Sequence, residues 1–203
     1  QPASHPLLGK RLRSALQEIQ FESRVHADAP AFLREYRLHG AAMFPAAAYI
    51  EMALAAARKI FGASSYRVRE FTMHAAFFLP EKETQTLQLI VEPAHAGEAR
   101  FQILRLARAE EEGAEAWTMH ATGKIGAAQA SLPATSFNPQ AVQARCGEEI
   151  SAADFYQARG ALGEAVGPQW RALDKIWRGA NEALAHVPWP EQETYTFVAP
   201  PAL

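Results

Sequence analysis

The sequence predicts an α+β fold in which an antiparallel sheet curls around one buried helix, and three observations carry that expectation. Residues 46–61 are apolar on nearly every helical face, segments alternating apolar with polar residues follow them, and turn residues separate those segments. In the helix, only Glu51, Arg58 and Lys59 are polar. Pro45 suits a first turn, where its missing N–H would be unpaired, and Gly62 is a terminator. A helix apolar all round must be surrounded by protein, and at this length it is a core helix and not a membrane span.

The strands follow in order. Residues 66–72, 76–79, 87–91, 101–106 and 117–125 read as extended, with Leu87, Leu89 and Val91 alternating and Trp117, Met119 and Ala121 expected on one face. Pro80, Pro93 with Gly97, and Gly113 punctuate them, and Glu110 to Glu112 beside Gly113 reads as a solvated hairpin tip. From 126 to 149 Ala, Ser, Gln, Pro and Asn dominate without sustained periodicity, so this stretch is expected to be a linker. Ser151 then suits the N-cap of a short helix holding Phe155 and Tyr156. Gly167-Pro168 breaks that helix, and residues 172–178 and 183–187 read as strands joined near Gly179.

Composition narrows the function. A hydrophobic content of 49% over 203 residues supports a substantial core. A net charge of −2 with 21% charged residues leaves no basic field for nucleic acid or anionic lipid. The lone Cys146 gives no internal disulfide, and no CxxC or HExxH spacing offers a metal site, so the cytoplasm is the expected compartment. The first residues carry neither a basic stretch nor an apolar run, and without an initiator Met the chain reads as a piece of something longer.

Five short motifs, in one order, resemble polyketide synthase dehydratase domains. His5-Pro-Leu-Leu-Gly9 is similar to their opening, Gln20-Phe-Glu-Ser23 to their first strand, and Pro45-Ala-Ala-Ala-Tyr-Ile-Glu-Met52 to the start of their buried helix. Trp117-Thr-Met-His-Ala-Thr-Gly123 resembles the strand closing their first subdomain, and Gly163-Glu-Ala-Val-Gly167-Pro168-Gln-Trp170-Arg171 the beginning of the second. The resemblance implies a double hotdog. Its first subdomain spans 5–125, a linker 126–149, and a second subdomain begins at 150 and is cut short by 203, leaving an open sheet edge.

The resemblance also implies a site. The family signature is a histidine, three residues, a glycine, four residues and a proline; Gly40 and Pro45 keep the second interval, which places Tyr36 at the histidine. Gly40, expected at a strand-to-helix corner, would lend its N–H as an oxyanion donor. Pro45, Phe77, Phe78, Gly167, Pro168 and Trp170 would bind substrate, although the aromatics serve equally as core anchors. At the other end, Pro200 stands where the family's second histidine-proline segment begins, and the catalytic aspartate would fall past Leu203. No cofactor or metal is implied. The substrate would arrive as a thioester on the phosphopantetheine of an acyl carrier protein, beside neighbouring synthase domains, and the first hotdog could pair as a homodimer.

Dehydration of a β-hydroxyacyl thioester needs a base for the α-proton and an acid for the departing hydroxyl. Imidazole, near 6.5, suits the base; a phenol near 10 is protonated at neutral pH and does not. Tyr36 could instead donate a hydrogen bond to a thioester oxygen, or only fill the space of a histidine. His39, three residues on, would face away on a strand, and His120 reads as a packed strand residue. Three readings stay open: a structural dehydratase-like domain, one recruited for double-bond shift, cyclisation or vinylogous branching, and an active dehydratase whose base is misassigned or engineered away. A single-hotdog thioesterase is opposed by the motif at 163–170.

Overall fold

The computed structural model describes residues 5–62, 65–107, 116–128 and 138–188. Its organising element is α1, Ala46–Phe61, which Pro45 precedes in extended conformation and Gly62 closes. Six antiparallel strands wrap it: β1 (Lys10–Arg11), β2 (Ile19–Val25), β5 (Tyr66–Met73), β6 (Gln85–Val91), β7 (Glu98–Leu106) and β8 (Trp117–Ala127), in spatial order β1-β2-β6-β7-β8-β5. Alternation along β6 turns Leu87, Leu89 and Val91 inward, where they meet Phe21 of β2, Phe101 and Ile103 of β7, and Tyr49 and Met52 of α1 in one apolar cluster. This is the hotdog arrangement.

The one carboxylate inside the helix is held by the opening motif. Glu51 is fully buried, and His5 Nε2 lies 2.9 Å from its Oε1. The backbone N–H groups of Leu7 and Leu8 donate to His5 Nδ1 at 3.3 and 3.2 Å, so Nε2 carries the proton and donates to Glu51. A buried carboxylate left alone is costly. This motif is therefore a clamp between the chain's first turn and α1, and its chemistry is structural.

Between β2 and α1, a 3₁₀ turn (Ala31–Glu35) leads into the short hairpin β3 (Tyr36–Leu38) and β4 (Ala41–Ala42). Past β8 come α2 (Pro139–Arg145), β9 (Glu148–Ser151), α3 (Ala152–Ala161), β10 (Glu164–Val166), a 3₁₀ turn (Pro168–Trp170), β11 (Lys175–Arg178) and β12 (Ala183–His186). They form two small sheets: β12-β11-β9, and β10-β3-β4, in which β10 reaches back to the hairpin. Ser151 caps α3 as expected, its Oγ accepting the N–H of Asp154.

Several expectations are corrected. Residues 76–79 form no strand but a single bridge between Met43 and Phe78, tied by Phe44 N–H to Phe77 O and Leu79 N–H to Ala42 O, before Pro80 ends the pairing. Trp117 and Met119 do not share a face with Ala121: the register slips between Ile103 and Leu104, making His120 the extra residue of a bulge in β8, so His120 and Ala121 are both buried. The expected linker contains α2, started by Asn138, whose side chain accepts the N–H of Ala141, and by Pro139 behind it. Capping made a helix there without apolar periodicity. The 110–112 tip, Pro200 and Leu203 lie outside the described residues.

Candidate functional site

Tyr36 opens β3, and the residues before it are fastened to the 163–170 motif. Glu35 accepts the Gly167 N–H on its backbone oxygen at 2.8 Å and the Gln169 N–H on Oε2 at 3.1 Å. Its side chain lies where a Cβ on Gly167 would stand, so that position admits only glycine. Trp170 Nε1 donates to Phe32 O at 2.8 Å, and its ring packs on Tyr36 with centroids 5.3 Å apart. Strand pairing completes the joint, Val166 lying opposite Tyr36.

These contacts border an open cavity of about 330 Å³. Its walls are mostly apolar: Ala47 of α1, Phe155 of α3, Val166, Trp170, Ala172, Leu173 and Val187. Four polar side chains reach it, those of Tyr36, Tyr156, Arg159 and Glu164. Tyr156 is engaged, its hydroxyl accepting the Leu173 N–H at 3.1 Å and donating to Trp170 O at 3.5 Å. Arg159 pairs with Glu164, whose side chain is only 17% exposed. The Tyr36 hydroxyl donates to that same carboxylate. Burial and the neighbouring Glu164 charge hold the Tyr36 phenol above its ordinary range, against a smaller opposing pull from Arg159. The site thus offers one firmly protonated phenol and one carboxylate in an apolar pocket.

Of the sequence-predicted residues, Tyr36 and Trp170 line this cavity and the others do not. Pro45 starts α1 from the buried side, while Gly167 and Pro168 form the joint with Glu35. Phe77 is buried against Phe44 and His120, and Phe78, its neighbour, points to solvent at 48% exposure. Gly40 stands at no strand-to-helix corner: with His39 it makes the two-residue turn of the β3–β4 hairpin, both at positive φ, 83° and 49°. Its carbonyl accepts Arg37 Nε at 2.8 Å. His39 stays out of the cavity because the backbone turns there, and its ring rests against Gly163, whose carbonyl accepts the His39 N–H at 2.7 Å.

His120 donates from Nδ1 to Ala75 O at 3.1 Å and leaves Nε2 without a partner among the described residues; burial lowers its pKa. Sequence reasoning missed Glu164 and Arg159. The signal for Glu164 was present: strand alternation puts it and Val166 on the face opposite exposed Ala165, and both line the cavity. Among the described residues, no cluster of three His, Cys, Asp or Glu could hold a metal ion, and no helix is long and apolar enough to cross a membrane.

Comparison with known proteins follows the same lines. Models of the polyketide synthase dehydratase domain and of the polyketide synthase dehydratase N-terminal domain match residues 5–106 and 134–199. The chain is 30% identical to polyketide synthase GfsB of Streptomyces halstedii, over 93% of its own length and 3% of that protein's. It is 27% identical to pikromycin polyketide synthase component PikAII of Streptomyces venezuelae, over 94% of this chain and 5% of the relative. It therefore spans a small fraction of these relatives. The dehydratase domain from the CurF module of curacin polyketide synthase superposes with a TM-score of 0.87 at 25% identity, covering 99% of this chain and 73% of that one. Two structures of the CurK dehydratase, each with a TM-score of 0.85, are of inactive mutants, a histidine-to-phenylalanine and an aspartate-to-asparagine change.

Proposed function

We infer the function from this premise: the chain belongs to the polyketide synthase dehydratase domain family. Within it we propose a dehydratase-like domain of a modular synthase that receives acyl groups as thioesters on a carrier protein's phosphopantetheine, holds them in the Tyr36 cavity, and does not carry out ordinary β-hydroxyacyl dehydration. One observation carries this reading. The residue at the family's histidine spacing is a phenol that already donates to Glu164 and is held protonated, so it has no lone pair of useful basicity at neutral pH. In the CurK relative, replacing a histidine by phenylalanine is inactivating, which supports the view that one lost base is enough. The apolar walls suit a hydrocarbon chain.

The test is loss of water from a β-hydroxyacyl pantetheine thioester, followed by mass spectrometry. The unmodified chain is expected to leave the probe intact. Robust dehydration overturns the reading.

A further inference from the structure

Four side chains of the cavity can ionise, and three are unsuited to accept a proton. Arginine stays protonated in proteins. Tyr36 donates to Glu164, and the Tyr156 hydroxyl is engaged on both sides, with Trp170 O and Leu173 N–H. Glu164 alone supplies a basic oxygen, on a strand that carries it into the cavity from across the Tyr36 hairpin. It sits in the pocket's second half, not at the family's histidine spacing, and it shares the cavity with its ion-pair partner Arg159.

We propose that Glu164 is the proton-transferring residue of this cavity and that its substrate is an unsaturated acyl thioester, whose double bond it shifts. This rests on the cavity being the acyl site. In a 2-enoyl thioester the γ C–H bond breaks and its proton passes to a carboxylate oxygen of Glu164. The released electron pair forms C3=C4 as the C2=C3 pair moves toward the carbonyl, giving a dienolate. Glu164, now a carboxylic acid whose proton exchanges with solvent through the open mouth of the cavity, delivers a proton to C2 and the thioester carbonyl re-forms, leaving a 3-enoyl thioester. Nothing is oxidised and no water enters or leaves. A single carboxylate suffices for this sequence because the acid of the second step is the product of the first, whereas hydroxide departure asks for an acid at the β-carbon while the α-proton is being removed. Tyr36 follows the charge: its O–H, released as Glu164 is neutralised, is a donor for the dienolate oxygen.

The experiment places the chain in D₂O with a trans-2-enoyl pantetheine thioester and follows deuterium at the α and γ carbons by NMR, with the β-hydroxyacyl probe run in parallel. Exchange is expected to exceed the buffer rate. Glu164→Gln should slow it by about a hundred- to ten-thousand-fold, the range typical of general-base catalysis, with the circular dichroism spectrum unchanged. Glu164→Asp, which keeps the charge beside Arg159 and draws the carboxylate back by one methylene, should fold and lose roughly tenfold or more. Exchange no faster than buffer, or equal rates in the unmodified chain and either variant, overturns the proposal. Water loss from the β-hydroxyacyl probe would instead strike the proposed function, and Glu164→Gln would still decide the residue: dehydration untouched by it overturns Glu164 as well.

Discussion

Two helices of this chain behave in opposite ways. α1 buries eight of its residues, from Ala48 to Ala57, while α3 buries none. The apolar cluster lies wholly between Leu7 and Ile125, and beyond it only Gly126, Cys146 and Ile176 are buried among the described residues. The first region is therefore held by removal of apolar surface from water. The second is held to it through directed bonds: strand β10 on β3, the Glu35 acceptor, and Trp170 on Phe32. The cavity lies on that seam, with Tyr36 from the packed side and Glu164 from the tethered one.

Truncation should separate the two regions most sharply. Phe44 is fully buried between Tyr49 and Phe77, and Phe44→Ala is expected to cost about 3–5 kcal/mol in denaturant unfolding. Phe155, half-buried on α3, should cost less than about 1.5 kcal/mol when changed to Ala, because the side chain leaves less apolar surface behind. Equal costs would break the comparison.

The packed region was legible in the sequence because its signals are local. A helix with three polar residues and a strand alternating Leu87, Leu89, Val91 announce their own burial, and the Gly40-to-Pro45 interval pointed to Tyr36. What escaped depended on pairing between distant segments. Glu164 acquires its meaning only when β10 lies beside β3, and no periodicity near residue 164 names Tyr36 as its partner. His39 was rightly kept from the cavity for an insufficient reason, since strand parity does not apply to a turn residue at positive φ. One slipped register carried His120 inward against the alternation of its neighbours.

His120 gives the packed region an acid sensitivity. Burial disfavours its imidazolium, so its folded pKa lies below the unfolded value of about 6.5. The unfolded chain then binds the proton more readily, and stability is full above about pH 6.5 and falls as pH drops toward the lowered folded pKa. One proton sets a slope of at most about 1.4 kcal/mol per pH unit. Denaturant unfolding between pH 7 and 5 should show this part of the loss in the unmodified chain and not in His120→Gln. Parallel losses in both would assign the sensitivity to another group.

The smallest expected effect tests the tethered region by itself. α3 buries no side chain, so its ends matter more than its faces, and Ser151 is the end that is built. Its Oγ accepts the Asp154 N–H at 3.0 Å and donates to Asp154 Oδ2 at 2.7 Å, a reciprocal cap at the helix start. Ser151→Ala removes both contacts and should cost about 1 kcal/mol. If the two regions open independently, that loss appears as roughly fivefold faster amide exchange confined to α3, with the exchange of α1 and the global melting temperature unchanged. If they unfold as one unit, the same change lowers the melting temperature by about 2–4 °C and speeds exchange across α1 as well. The second outcome would mean that the bonds of Glu35 and Trp170 couple the tethered region to the core as firmly as packing does, and that the cavity between them is as rigid as either side.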